Sequence, residues 1–356
     1  MDFVIFCIVF LILVGLNLGI HSYIIYSFVI LLFFIRFKYL TLVPRNSICV
    51  PFVLIILFSF TKIWQISTRT LFESVFLLLA IICFFGRKRF DVNIKRLNTL
   101  IALALFANLF LSRQSLHVDM NGFSHSDIGY ESPIFSFILP FFLYYWLNRR
   151  KYFFCLLNAP LILLSGKRIA LIAVIVGLLF FFFQNRLRNL NRNLIKAVIL
   201  FANFSYLQIT FLLSSGSFDD ISYQLFDVSV SQFTMGRYEL YAYIIEKVEI
   251  FSNFRWLYGI GLGNTEKILN AFIEHSILHN DILKLFLETG GVATFFFFYF
   301  LYNTKMFWQW GYLIIWNVIL MTDNTLIYVP IVFALCLMID AESIALQKRN
   351  YRISLE

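Results

Sequence analysis

Long apolar runs alternate with short polar breaks along almost the whole chain. A membrane span needs about 20 apolar residues. On that measure the runs predict twelve spans, at 3–19, 21–37, 47–63, 69–86, 97–113, 132–148, 152–166, 168–184, 194–214, 281–302, 306–321 and 325–341. The first two are nearly fused, with Gly15, Asn17, Gly19, His21 and Ser22 marking the turn. The first run lacks a basic start and a small-residue cleavage site, so it is not expected to be a removable leader. The expected fold class is an all-α polytopic membrane protein, one integral domain over 1–356.

Two polar stretches interrupt the pattern, at 114–131 and 215–280. Within the second, apolar residues recur at Leu240/Tyr241, Ile244/Ile245, Val248 and Phe251, which is helical spacing. Glu239, Glu246, Lys247 and Glu249 lie between them. The pattern predicts an amphipathic helix starting at Arg237, its apolar stripe in lipid or against the spans.

Composition agrees with this picture. Hydrophobic residues make up 60% of the chain, 45 residues are Phe and only 14% are charged, against about 25% charged in soluble domains. Cys7, Cys49, Cys83, Cys155 and Cys336 lie in or beside apolar runs. They are expected to pack as small hydrophobes, not to form disulfides or a metal cluster.

The net charge of +9 points to membrane topology, and no nucleic-acid partner is expected. Nineteen of the 29 Lys and Arg fall in the breaks at 36–45, 87–96, 149–151 and 186–196, at Lys305 and in the tail after Gln347. Alternating spans put all of these on one face. The positive-inside rule makes that face cytoplasmic, with both termini on it. At least fourteen of the 20 acids fall on the other face, together with both polar stretches. No cytoplasmic segment is long enough for an enzyme domain, and no P-loop is present. This argues against an ATP-driven transporter and against a transferase fed by cytoplasmic sugar nucleotides. No cofactor is expected.

Candidate chemistry concentrates on the outer face. The most informative stretch is Glu274–Gly291, EHSILHNDILKLFLETGG. His279, at a span entrance, suits proton transfer or donation to a phosphate; a structural cap is the alternative. His275 and His279 are spaced to share a metal on a helix, but no third ligand is evident and no metal is expected. Glu288, about two turns into the span, is a functional candidate by position and could pair with Arg168 or Lys284.

Lys167 and Arg168 occupy a tight turn between two apolar runs. A guanidinium fork matches pyrophosphate oxygens; an arginine reaching lipid headgroups is the plainer reading. Arg237, after Gly236, falls in the first turn of the predicted amphipathic helix, where the dipole favours anions. The plain alternative is a surface pair with Glu239 or Asp227, of little energetic weight. Tyr258 to Gly263 is glycine-rich without a preceding strand, so it reads as a backbone that approaches a ligand or a neighbouring span. His117, Asp119, Asn121, His125, Asp127 and Tyr130 could bind sugar hydroxyls, but any solvated loop looks similar. Asp323 and Asn324, in the last outer turn, read the same way.

The order and shared side of these motifs resemble the bacterial O-antigen polymerase (Wzy) family, within the group that includes O-antigen ligases. The residues that carry the resemblance are Ser165-Gly166-Lys167-Arg168, Gly236-Arg237, Gly259-Ile260-Gly261-Leu262-Gly263, and His279-Asn280 followed by Leu283, Glu288 and Gly290-Gly291. They cover about 160–300. The resemblance implies a metal-independent, inverting transfer of oligosaccharide repeat units from undecaprenyl pyrophosphate, on the periplasmic side of the bacterial inner membrane. A second lipid-linked repeat unit would be the acceptor. It implies that Arg168 and Arg237 hold the donor pyrophosphate. His279 would act as a base or complete the phosphate site. Lys167, Gly236, Tyr241, Gly261, Gly263, Asn280 and Glu288 would line the substrate site. A chain-length regulator and a flippase are the implied protein partners. Lys167 stands where a small or polar residue often precedes the arginine, which leaves open which cation touches phosphate. A ligase using the same donor, a non-enzymatic flippase or other transporter, and an integral scaffold are the alternatives.

Overall fold

The structure, a computed structural model, describes residues 21–41, 48–60, 68–85, 92–111, 133–165, 167–227, 237–273, 278–304, 306–326 and 328–353. The predicted span 3–19, the polar stretch 114–131, Gly166, Gly236, Glu274 and His275 lie outside the described residues.

The remaining apolar runs are helices: α1 His21–Arg36, α2 Cys49–Phe60, α3 Thr68–Ile82, α4 Ile94–Leu111, α5 Pro133–Asn148, α6 Tyr152–Leu164, α7 Arg168–Arg188 and α8 Arg192–Ser214. Four short helices follow, α9 Asp219–Phe226, α10 Arg237–Val248, α11 Arg255–Tyr258 and α12 Asn264–Asn270. Then come α13 Asp281–Leu301, α14 Gln309–Thr322 and α15 Val329–Ile353. Among the described residues there is no strand. Helices are what such a sequence can form in lipid, because each satisfies its backbone hydrogen bonds internally.

Four helical segments are long and apolar enough to cross a membrane: α7, α8, α13 and the Val329–Gln347 part of α15. The chain is an all-α membrane protein. About two thirds of the most apolar window of α13 and α15 is buried, but only 22% of that in α7 and α8. The first pair is therefore central and the second peripheral. Phe182, Leu194 and Phe201 are exposed along the peripheral pair, as a lipid-facing surface requires. Both peripheral helices also run past the apolar limits read from sequence. Arg186 and Arg188 continue α7 as good helix formers. Asn191 starts α8 early by accepting the Asn193 N–H at 2.9 Å.

Small residues let neighbouring helices approach. A Cβ at Gly311 of α14 would lie 2.0 Å from the Tyr144 ring of α5, and one at Gly177 of α7 would lie 2.7 Å from Ile315 of α14.

α13 is broken in the middle. Gly290 has φ 82° and ψ 168°, open to glycine and strained for any other residue. The break frees the carbonyls of Leu287 and Glu288, and buried carbonyls need partners. The glycine-rich loop supplies them: Ile260 N–H donates to Leu287 (2.9 Å) and Gly261 N–H donates to Glu288 (2.8 Å). A Cβ at Gly259 would sit 2.3 Å from the Glu288 carbonyl oxygen. The loop thus approaches a neighbouring span, one of the two readings its glycines allowed. The result is a half-helix, Asp281–Thr289, in which every residue is buried.

The amphipathic helix predicted from Arg237 is present as α10. Its stripe of Tyr241, Ile244 and Val248 is buried, and the helix packs against α8.

Candidate functional site

The starts of α7, α10 and α13 meet the end of α14. Asp323 lies at the centre. It is the residue at which α14 stops, in extended conformation (φ −148°, ψ 171°). Its Oδ2 is 3.2 Å from Lys167 Nζ, just before α7. Its Oδ1 is 3.4 Å from His279 Nδ1, just before α13, and also accepts the Asn324 N–H at 2.8 Å.

The last carbonyls of α14 have no partners within their own helix. Arg237, first residue of α10, donates from Nη1 to the Thr322 carbonyl at 2.9 Å. The Tyr206 hydroxyl of α8 donates to the Met321 carbonyl. The same hydroxyl accepts from Asn280 Nδ2 at 3.1 Å. Asn280 caps α13 by accepting the Leu283 N–H at 2.9 Å. Asp281 Oδ2 accepts the N–H groups of Thr325 and of Leu326, the latter at 2.6 Å. Tyr241 of α10 donates its hydroxyl to the His279 carbonyl at 2.9 Å. His279 is therefore held through its backbone and through its ring, by different elements.

The electrostatics follow from this packing. Burial pushes the Asp323 carboxyl up. The hydrogen bond from His279, the Lys167 charge and the Asn324 N–H pull it down further and hold it at about 2. It is thus an anion at any working pH. An ionised carboxylate has no proton to donate, so in this bond His279 Nδ1 must carry the hydrogen. When the ring carries only that hydrogen, its Nε2 is bare, and no described residue bonds to that nitrogen. The His279 side chain is 37% exposed, so that nitrogen is reachable. Burial likewise pushes the Tyr241 hydroxyl up, so it remains a neutral donor. Lys167 and Arg237 bring two cations to the cluster, and Asp323 and Asp281 are its two carboxyl groups.

Of the residues singled out in the sequence, Lys167, Arg237, Tyr241, His279 and Asn280 come together here. Arg168 does not join them: it is exposed and has no side-chain partner among the described residues. Of the two adjacent cations, the one turned into the cluster is the lysine.

Glu288 and the glycine loop form a second network. Lys284 Nζ is 2.6 Å from Glu266 Oε1, and both side chains are largely buried. Thr265 donates its hydroxyl to Glu288. Lys284 and Glu288, four apart, share a face of α13. Gly261 serves this network through its bond to the Glu288 carbonyl. A Cβ at Gly263 would meet Thr70 of α3 at 2.3 Å. Of the two partners the sequence offered Glu288, Lys284 lies in the same network, but its ion pair is with Glu266, and Glu288 is bonded by Thr265.

Asp323, read from sequence only as a polar residue of the last outer turn, stands at the centre of the cluster, and Tyr206 joins it without having been singled out. A signal existed for Asp323, an acid at the edge of two apolar runs facing two cations across the same surface. Tyr206, inside an apolar span, carried none.

No protein-family model matches the chain, and no curated protein matches it.

Proposed function

We propose that the chain is an O-antigen (surface polysaccharide) polymerase of the bacterial inner membrane, joining repeat units carried on undecaprenyl pyrophosphate. The observation that carries the reading is the cluster of Lys167, Arg237 and His279 around Asp323. It combines cations suited to a pyrophosphate with an imidazole whose free nitrogen can accept a proton. The resemblance in motif order supports the same reading.

In this account Lys167 and Arg237 hold the donor pyrophosphate, and the exposed Arg168 meets it at the rim. Helix starts at α7, α10 and α13 add partial positive charge. The acceptor hydroxyl of a second repeat unit attacks C1 of the donor sugar. Its proton passes to His279 Nε2. The C1–O bond to pyrophosphate breaks, and the electron pair leaves with the lipid pyrophosphate. Charge grows on the leaving oxygens as this happens, where fixed cations stabilise the transition state more than the ground state. Asp323 fixes the tautomer of His279 and stabilises the imidazolium that forms. The donor bond supplies the driving force, so no nucleotide is needed.

The finer topology is part of the proposal. The helices α1–α6 and α14 are read as further spans beside the four long ones, and 3–19 completes twelve. Both termini are cytoplasmic, and 215–280 forms a periplasmic loop in which α10 lies at the interface. A flippase and a chain-length regulator would work beside the enzyme.

The test is a surface-polysaccharide gel from cells lacking the protein. Collapse of the long ladder to a single capped repeat unit supports the polymerase. Complete loss of the repeat points to a ligase or a flippase, and an unchanged ladder overturns the glycan reading. Complementation with His279→Ala should restore donor binding but little chain growth.

A further inference from the structure

A second polar region lies at the other end of α7. Lys167 stands at one end of that helix, and Phe181, Phe182, Gln184 and Asn185 lie 14 to 18 residues further on. At 1.5 Å per residue this is roughly 21–27 Å, most of a hydrocarbon core of about 30 Å. These residues help to line a cavity of about 1170 Å³ between the ends of α5, α7 and α15 and the starts of α4 and α6. It has no residue in common with the Asp323 cluster.

Four cations line the cavity, Lys95, Arg149, Arg150 and Lys151, against one carboxylate, Glu342. Arg149 is partly engaged: its Nε is 3.6 Å from Glu342 Oε2, and its guanidinium lies 4.4 Å from the Tyr145 ring centre. Lys95 Nζ lies over the Phe154 ring at 5.6 Å. Arg150 and Lys151 are exposed and have no acidic partner among the described residues. Lys151, at the start of α6, provides no side-chain cap for that helix, so the helix start adds its own partial positive charge. Among the described residues that line the cavity, Glu342 is the one carboxylate against these four cations.

The wall beside these cations is apolar. Trp146, Phe181, Phe182, Ile344 and Leu346 line the same cavity. Phe182 is 71% exposed, and Phe153 and Leu156, on the neighbouring face of α6, are 73% and 74% exposed. In an all-α membrane protein, such rings face acyl chains. A ligand that fits must therefore present anionic oxygens at the helix ends and hydrocarbon along the adjoining helix faces.

We propose that this cavity is a binding site for an anionic glycerophospholipid of the leaflet at that end, with the phosphate among Arg149, Arg150 and Lys151 and the acyl chains along Phe153, Leu156 and Phe182. Basic pockets between spans are a known mode of headgroup recognition. The inference rests on the membrane reading of the fold and is independent of the proposed chemistry at Asp323.

The test uses the full-length protein purified in detergent. Native mass spectrometry and thermal unfolding are run with added phosphatidylglycerol, phosphatidylcholine or glycerol phosphate. Phosphatidylglycerol should be retained and should raise the unfolding midpoint, and phosphatidylcholine should do neither. The variant Arg150→Glu/Lys151→Glu alters two exposed side chains and should unfold like the parent without lipid, yet lose about tenfold in retained phosphatidylglycerol. Equal retention of the two lipids by the unaltered protein would overturn the proposal. So would a shift from glycerol phosphate that matches phosphatidylglycerol, since the site would then read a soluble phosphate. A variant that keeps full phosphatidylglycerol binding would overturn the placement of the headgroup.

Discussion

Asp323→Asn removes one charge and keeps the size of the side chain. The folded carboxyl titrates at about 2, against 3.8 when unconstrained. Each unit of difference corresponds to about 1.4 kcal/mol, so its surroundings favour the ionised form by roughly 2–3 kcal/mol. The side chain is only 6% exposed, so solvent screens this little. A folded value below the unfolded one stabilises the protein fully above about pH 4, and the contribution fades as the pH falls toward 2. The variant should therefore be less stable by about 2–3 kcal/mol at pH 7. Near pH 3 about half of that gap should remain. The groups that hold the charge are Lys167 before α7, His279 before α13 and the Asn324 N–H. Reversible unfolding in mixed detergent micelles at pH 7, 5, 4 and 3 measures the gap directly. Equal stability at pH 7 would refute the reasoning, and so would a gap that does not narrow below pH 4. Chain growth should fall too, because the acceptor-only carboxylate that fixes the His279 tautomer is replaced by an amide that can also donate.

Other outcomes follow from the same geometry. Arg237→Ala should abolish polymer on a surface-polysaccharide gel without loss of expression, and Arg237→Lys should keep part of it; normal polymer from the alanine variant would remove Arg237 from the donor site. Lys167→Ala should reduce polymer more than Arg168→Ala in matched strains, because Lys167 faces the cluster and Arg168 is exposed; the reverse order would shift the pyrophosphate to Arg168. Gly290→Ala forces a side chain into left-handed φ, at about 1–2 kcal/mol, and puts its Cβ 2.2 Å from the Leu257 carbonyl oxygen. Size-exclusion chromatography in detergent should then show little folded protein, and a normal yield would mean the break in α13 is dispensable.

The helices were legible because apolar periodicity is a local property. The stripe of Tyr241, Ile244 and Val248 could be read from spacing alone, and it is the buried face of α10. The choice between Lys167 and Arg168 could not. Lys167 is the extended residue before α7 and Arg168 is the first residue of the helix, and sequence does not fix which of the two side chains faces the cluster. Asp323 was hidden for a different reason. It meets His279 across 44 residues and Lys167 across 156, so only the packing of α7, α13 and α14 reveals it as their shared acceptor. The pair Gly290-Gly291 lay within one continuous predicted span, 281–302, and the break at Gly290 appears only in the structure. Where the freed carbonyls find their donors depends on the loop at Ile260 and Gly261, a contact that neither segment encodes alone.

The most direct test of the central claim uses the purified protein with a lipid-pyrophosphate-linked repeat unit as sole substrate and follows products by mass spectrometry. The account predicts glycans that grow by whole repeat units on the lipid pyrophosphate, with release of undecaprenyl pyrophosphate and no added nucleotide. It also predicts that Arg237→Ala makes none. Repeat units that stay single with the unaltered, folded protein would contradict it.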